Sequence, residues 1–458
     1  MITKPYFKSL FYELRITLKL ALPIVLSQLG QLSFGLMDTA MVGRAGVVPL
    51  SASAFVNNVC NIPMVFALGM SSAVSVLIAQ SFGEKNYKNC GRILNNALLF
   101  IGLITFLIII GLILLSGHLS IFQQPIEVLN ESYNYYLTIS WSILPFILFF
   151  VLKHFSEGIS HPVVPLAFLG IGLLANFILN SLLIYGLYGF PELGLYGAGI
   201  ATLISRVLVV VLFYIYILRS KIYEKFRTTF ASEKIDIYAF KDLARIGIPS
   251  GFQYLFEVAA FAGSGIMIGW LGTKALAAHQ IALQIASTTF MMALGLSFAV
   301  GVRVGQLKGE QNYPALRQVG IGSFSFVGIT LGILGVGILL TRNYLPTLFI
   351  SDVEVEQMAA QILIIVCLFQ ISDSTQAVAM SALRGLQDVK IPTVIAFFAY
   401  WVVALPLGYY LAFKEGYKHM GIWAALGISL LISSMLLVAR FLHKSKKLVK
   451  ENEITYGT

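Results

Sequence analysis

The sequence predicts an all-α polytopic membrane protein, twelve transmembrane helices in two six-helix lobes related by a pseudo-two-fold axis along the membrane normal. Three observations lead there. Only 11% of the 458 residues are charged and 58% are hydrophobic, far from the roughly 25% charge of a soluble domain, so lipid is the solvent. The apolar residues gather into runs of about 20 or more, the length a helix needs to cross a bilayer; spanning strands would show alternating segments of about ten. The third observation is an internal repeat. Ala67 to Tyr87 lies without gaps on Ala293 to Tyr313 and matches at 12 of 21 positions, Gln80/Gln306, Gly83/Gly309, Glu84/Glu310, Asn86/Asn312 and Tyr87/Tyr313 among them. The same offset of 226 pairs Pro23 with Pro249, Gly43 with Gly269, Gly46 with Gly272 and Leu50 with Leu276. With a slip of one, Gly158 and Pro165 pair with Gly385 and Pro392. The chain is two copies of one unit, and function is expected where the copies face each other.

The spans are read at 16–43, 52–82, 93–115, 133–155, 163–187, 195–218, 247–271, 276–305, 319–340, 357–383, 392–413 and 421–440. The lobes are residues 1–231, which include part of the connecting linker, and 232–458. Six spans per copy is an even number, so both copies insert the same way up. One set of loops holds 25 Lys and Arg residues, from Lys4 through Lys450, against five in the other set (Arg44, Lys274, Arg342, Lys414 and Lys418), with Arg206 alone inside a span. Positive charge stays in the cytoplasm, so both termini are expected there. The net charge of +10 is then a topology signal and does not call for nucleic acid. No cleavable leader is expected at a start studded with lysine and aromatic residues. Of the three cysteines, Cys60 and Cys367 fall in spans and Cys90 in a cytoplasmic loop, which implies no disulfide framework.

In chain order, span 1 places Gln31, Phe34 and Asp38 at helical spacing on one face. Asp38 lies toward the outer end of that span. An acid deep in a bilayer costs about 2.5–3.5 kcal/mol on insertion scales, so a functional role is weighed against a boundary cap. The repeated turns Gly83-Glu84-Lys85-Asn86-Tyr87 and Gly309-Glu310-Gln311-Asn312-Tyr313 read as cytoplasmic scaffold. The charged end of span 4, Lys153-His154-Phe155-Ser156-Glu157-Gly158, reads as capping, with His154 satisfied at the interface, and its counterpart ends in Arg384-Gly385. Span 5 puts Asn176 and Asn180 one turn apart; they either coordinate a cation or bond to neighbouring helices. Arg206 in span 6 is expected to meet a carbonyl or to snorkel. Residues 219–245 form a basic cytoplasmic linker suited to anionic headgroups.

Span 7 carries Gln253 and Glu257 one turn apart; span 8 aligns Gln280, Gln284 and Thr288; span 10 aligns Gln370, Asp373 and Gln376. Through the repeat, Glu257 falls on Gln31, Asp373 on Phe146 and Asp38 on Ser264. The scaffold repeats and the acids do not. Three span carboxylates with no lysine beside them each take a proton, a metal cation or an organic cation. Competition between a coupling ion and an organic cation for the same carboxylates is antiport. One charge crossing about 100 mV releases roughly 2.3 kcal/mol to drive it.

At these residues the chain resembles, from end to end, the multidrug and toxic compound extrusion (MATE) family in its NorM-like branch. The matching pieces are Pro23 and Asp38 in GLMDTAMVG, Asn176 and Asn180 in ANFILN, Pro191-Glu192-Leu193-Gly194, Glu257 in FEVAAF, AAHQIALQ, RVGQLKGE, and SDSTQAVAMSALRGLQD. The resemblance implies a central cavity, a Na⁺ or other cation site at Glu257 and Asp373, and a second, protonatable site at Asp38 with the asparagines nearby. Gln31, Phe34, Gln253, Gln280, Gln284, Phe369 and Gln370 are the expected cavity residues. Phe369, a turn before Asp373, stands where the family often has a ring with a ligating hydroxyl. The resemblance further implies export of amphipathic organic cations such as dyes and fluoroquinolones, a multi-pass protein of the bacterial inner membrane, a monomer, and no cofactor beyond Na⁺ or H⁺ as coupling ion.

Two other transporter classes and an enzyme are weighed against this. The loop SFGEKNYKNCGR lacks the acidic and basic signature of a major-facilitator transporter, and a flippase for lipid-linked pyrophosphate asks for a cationic cavity, whereas the cavity expected here is acidic. No H-E-x-x-H, G-x-S-x-G or Asp-rich metal motif points to an intramembrane enzyme, and Gly170 and Gly172 suit helix packing.

Overall fold

The computed structural model of the protein describes residues 4–229 and 236–456. Among the described residues, twelve helices long and apolar enough to cross a membrane run in sequence: α1 Lys4–Gly43, α2 Val47–Gly83, α3 Tyr87–Ser116, α4 Ile126–Gly158, α5 Val163–Tyr185, α6 Gly194–Arg219, α7 Ile237–Gly269, α8 Thr273–Gly309, α9 Tyr313–Thr341, α10 Val353–Gly385, α11 Lys390–Lys414 and α12 Lys418–Tyr456. The described residues contain no strand. Most helices outrun the expected spans. Hydropathy marks only the lipid-facing length, whereas α1, α3 and α12 continue as amphiphilic helix past it. Cys90 therefore lies inside α3 and is buried, not in a loop. Lys234, counted with the linker's charge, lies outside the described residues.

The repeat is visible in backbone detail. Gly46 and Gly272 begin α2 and α8 at φ 131° and 113°, a region that favours glycine. Lys85 and Gln311 turn the chain at φ 58° and 60°. Asn86 and Asn312 then cap α3 and α9, each accepting from the backbone N–H three residues on, at 3.1 and 3.3 Å. Glu84 accepts from Gln80 Nε2 at 2.8 Å, and Glu310 lies 3.7 Å from Arg303. At the start of α10, Asp352 accepts from the backbone N–H groups of Val355 and Glu354, and those bonds, with Lys274 nearby, hold its carboxyl below the usual range.

Two compact units emerge from the packing: residues 29–251, and residues 1–28 together with 252–458. The expected division at 231/232 falls in the stretch 230–235, outside the described residues. Residues 1–28 and 236–251 each pack with the unit opposite to the one the sequence assigns, because α1 and α7 each run unbroken through a unit boundary.

Within the unit 29–251, α2 and α4 make the broadest contact, followed by α4 with α6 and α5 with α6. Gly158 makes the first possible: a Cβ there would lie 2.7 Å from Ile78 and 3.0 Å from the Ser75 carbonyl. A Cβ at Gly172 would lie 2.9 Å from Val209 of α6, while one at Gly170 would meet nothing within 4 Å. The linker helix 221–229 docks onto this unit rather than only lying on a surface. Tyr223 is buried and its hydroxyl lies 2.9 Å from Ser156 Oγ, and Phe226 packs among Phe82, Tyr87 and Phe155.

In the other unit α8 and α10 form the broadest contact and α12 packs along α10. Here Gly385 repeats the role of Gly158, a Cβ meeting the Gly301 carbonyl at 2.7 Å and Val304 at 2.9 Å. Glu13 near the start of α1 receives both Arg303 Nε and a terminal nitrogen, at 3.1 and 2.9 Å. Asp388 is held by Arg440 at 2.7 Å and Lys444 at 3.0 Å. α11 widens to π-helix over Phe398–Ala404, just ahead of Pro406. A proline inside a helix removes a donor and crowds the carbonyl four residues back, which the wider turn relieves.

Candidate functional site

Gln31, Phe34 and Asp38, successive on one face of α1, all line a cavity of about 440 Å³ in the unit 29–251. Asp38 reaches across to α5 and α6. Asn180 Nδ2 donates to Asp38 Oδ1 at 2.6 Å and to Asn176 Oδ1 at 3.0 Å. Thr202 Oγ1 donates to Asp38 Oδ2 at 3.5 Å and accepts from Asn176 Nδ2 at 3.4 Å. Both asparagines are fully buried, so the two readings of them merge. They bond between helices, and what they hold is the acid. Asn180 Oδ1 has no partner among the described residues, leaving an amide oxygen beside Asp38 for a cation.

The cavity is lined by the aromatic residues Phe34, Phe146, Phe149 and Phe150 and by the polar Asn57, Asn58 and Asn61 of α2. Arg206 also lines it. One terminal nitrogen of Arg206 donates to Ser142 Oγ at 2.8 Å and to the Ser142 carbonyl at 3.4 Å, and the guanidinium lies over Phe146 at 4.5 Å. The expectation of an acidic cavity is thereby corrected: it holds one acid and one permanent cation. Thr202 and Arg206 escaped as site residues although they stand one turn apart in an apolar span, a spacing that places both on one face.

The residues expected of the other unit are only partly drawn together. Glu257 and Asp373 lie within electrostatic range of each other, Arg384 acts on Glu257, and Tyr400 feels both carboxylates. Asp373 is buried, and its Oδ1 has no hydrogen-bond partner among the described residues. Gln370 Nε2 donates to Thr289 and its Oε1 is unpartnered. Gln376 Nε2 donates to the Tyr400 hydroxyl at 2.7 Å. Gln253 is occupied structurally: its Nε2 donates to Thr393 Oγ1 at 3.0 Å and to the Val389 carbonyl at 3.2 Å, and its Oε1 accepts from Arg384 at 3.2 Å. Phe369 packs edge-on to Phe261 and Trp423. Gln284 is half-buried and Gln280 exposed. Among the described residues no three His, Cys, Asp or Glu side chains converge as a metal site.

Tyr400 carries no signal in the sequence because it sits among Phe397, Phe398 and Trp401 in an apolar span, where nothing marks one ring as polar. The charged end of α4 is not a cap. Lys153, His154 and Glu157 are all buried, with Lys153 and His154 each 3.1 Å from Glu157, and Ile159 ends the helix. Likewise Arg384 is buried against Gln253.

The MatE family model matches residues 23–182 and 249–410, the two copies of the repeat. A protein named probable multidrug resistance protein NorM from Mesorhizobium japonicum is 33% identical over 445 residues, covering 95% of this chain and 94% of that protein. Its namesake from Bradyrhizobium diazoefficiens is 32% identical, covering 94% of each. Among solved structures, the eukaryotic MATE transporter AtDTX14 superposes with a TM-score of 0.85 at 20% identity over 97% of this chain and 99% of that one. The Vibrio cholerae MATE transporter VcmN in its bent form gives 0.87 at 18% identity, covering 96% and 99%.

Proposed function

Because the chain belongs to the MatE family, we propose that it is a secondary active antiporter that exports amphipathic organic cations in exchange for Na⁺ or H⁺ by alternating access. Members of the family are transporters, so the protein is a membrane transporter and not an enzyme. The observation that carries the finer reading is Asp38, a carboxylate inside a membrane-spanning helix, held by Asn180 and Thr202 at the wall of an aromatic-lined cavity. Such a group must be neutralised by a proton, an ion or a ligand, and exclusive occupancy by one at a time couples their movements. Aromatic walls with few polar anchors suit amphipathic ligands of loosely specified shape. The naming of the relatives for multidrug resistance supports drug-like substrates for this chain, in a bacterial inner membrane.

Glu257 and Asp373 are assigned the coupling cation, with oxygens of Gln370 and Gln376 as neighbours, and Asp38 a proton or the substrate's positive centre. A flippase for lipid-linked pyrophosphates is disfavoured: a single guanidinium sharing the cavity with Asp38 is too little positive charge for a pyrophosphate.

The test is dye efflux from proteoliposomes carrying an imposed Na⁺ gradient or an imposed pH gradient, each alone. Efflux driven by at least one gradient and absent without either is expected. Equal efflux with no gradient would overturn the reading.

A further inference from the structure

We infer that Arg206 is a recognition site for an anionic group, so that the cavity holding Asp38 favours ampholytes, molecules with a cationic centre and a carboxylate, over simple cations. This deepens the antiporter reading above and rests on it. The guanidinium is fixed rather than free: Ser142 holds one terminal nitrogen by its carbonyl and hydroxyl, and the Phe146 ring supports one face. Its Nε and other terminal nitrogen have no hydrogen-bond partner among the described residues, and no carboxylate there lies within ion-pair distance of it, Asp38 acting on it only at longer range. A cation at membrane depth with open donors is expensive, and a carboxylate meeting its planar fork offsets that cost with two parallel charge-assisted bonds.

Scaffold symmetry does not explain the residue either, since the offset of 227 that holds beyond Gly158 pairs Arg206 with Ser433. Asp38 lines the same cavity. A monocation seated on Asp38 leaves Arg206 uncompensated, whereas an ampholyte answers both charges. The ~440 Å³ volume and the aromatic wall of Phe34, Phe146, Phe149 and Phe150 suit a flat ring system between the two charged ends.

The probes are an unsubstituted diaminoxanthylium dye bearing a free benzoate, zwitterionic at neutral pH, and its methyl ester, a plain cation. Fluorescence anisotropy on the purified full-length protein should show the acid binding roughly ten-fold or more tighter than the ester, the scale of one charge-assisted contact. Arg206→Met should bring that ratio to one or below. Arg206→Lys should keep a smaller preference, because a point charge lacks the fork. A wild-type ratio of one, or a folded Arg206→Met protein with the wild-type ratio, overturns the inference. If Arg206→Met fails to fold, an unchanged ratio in both Arg206→Lys and Ser142→Ala overturns it, and a reduced ratio in either supports it. Gradient-driven efflux of the ester is followed in parallel. Driven efflux without acid preference sinks this inference and leaves the antiporter standing; acid preference without driven efflux does the reverse.

Discussion

Asp38 has partners on two other helices and a repeat counterpart, Ser264, that carries no charge. Replacing it with Asn keeps the shape and removes the only titrating oxygen of that hydrogen-bonded cluster. Substrate affinity of the purified Asp38→Asn protein should therefore lose its variation with pH, the wild type showing stronger cation binding as pH rises and the carboxyl ionises. Na⁺ binding in the other unit should persist. A pH profile identical to wild type would remove Asp38 from the mechanism. Glu257→Gln and Asp373→Asn are expected to lower gradient-driven efflux to the level of empty vesicles at wild-type expression, because each deletes a charge the coupling ion must meet. Normal efflux in either variant would rule out that ion site. Single residues were legible where a polar side chain interrupts an apolar run, as Asp38, Asn176 and Asn180 do. Ser142, Thr202 and Tyr400 were not, since hydroxyl residues are common in spans and only the neighbouring helix reveals what they bond.

At the scale of helices, the repeat matched more than letters. Gly158 on Ser75 and Ile78, and Gly385 on Gly301 and Val304, are one contact made twice, and small residues are what lets two helix backbones approach in lipid. Leucine at either glycine should destabilise the protein by about 1–3 kcal/mol, the range for overpacking a filled interface. Thermal unfolding in detergent, followed by the monodisperse fraction, checks this; a wild-type midpoint for both variants would mean the helices part without cost. The turns at Glu84 and Glu310 belong to the same scaffold. Gln at either should lower yield while leaving the ion dependence of transport unchanged, and a shifted ion dependence at full yield would speak against a structural role. Helix ends were the least legible feature, because hydropathy stops where lipid stops while hydrogen bonding continues. The buried group Lys153, His154 and Glu157 was misread for that reason.

For the molecule as a whole, the two compact units do not coincide with the two halves of the sequence. Residues 1–28 pack with 252–458, and residues 236–251 with 29–229. A chain cut in the linker, giving residues 1–231 and 232–458, leaves each fragment without part of its own unit. Neither fragment should accumulate alone in the membrane, and co-expression should restore both protein and efflux; robust accumulation of one fragment by itself would contradict this grouping. The repeat announced two copies but not this exchange, since a helix running unbroken through a boundary carries no mark in composition. The grouping also sets an order of assembly during synthesis. Residues 29–251 are contiguous and can close as soon as they are made. Residues 4–28 emerge before that unit, yet the segment they pack with begins more than two hundred residues later. At translation rates of about 5–20 residues per second, the start of α1 waits on the order of ten seconds to a minute with its packing surface unmet. A segment made before the unit 29–251 thus finds its place only after that unit is complete.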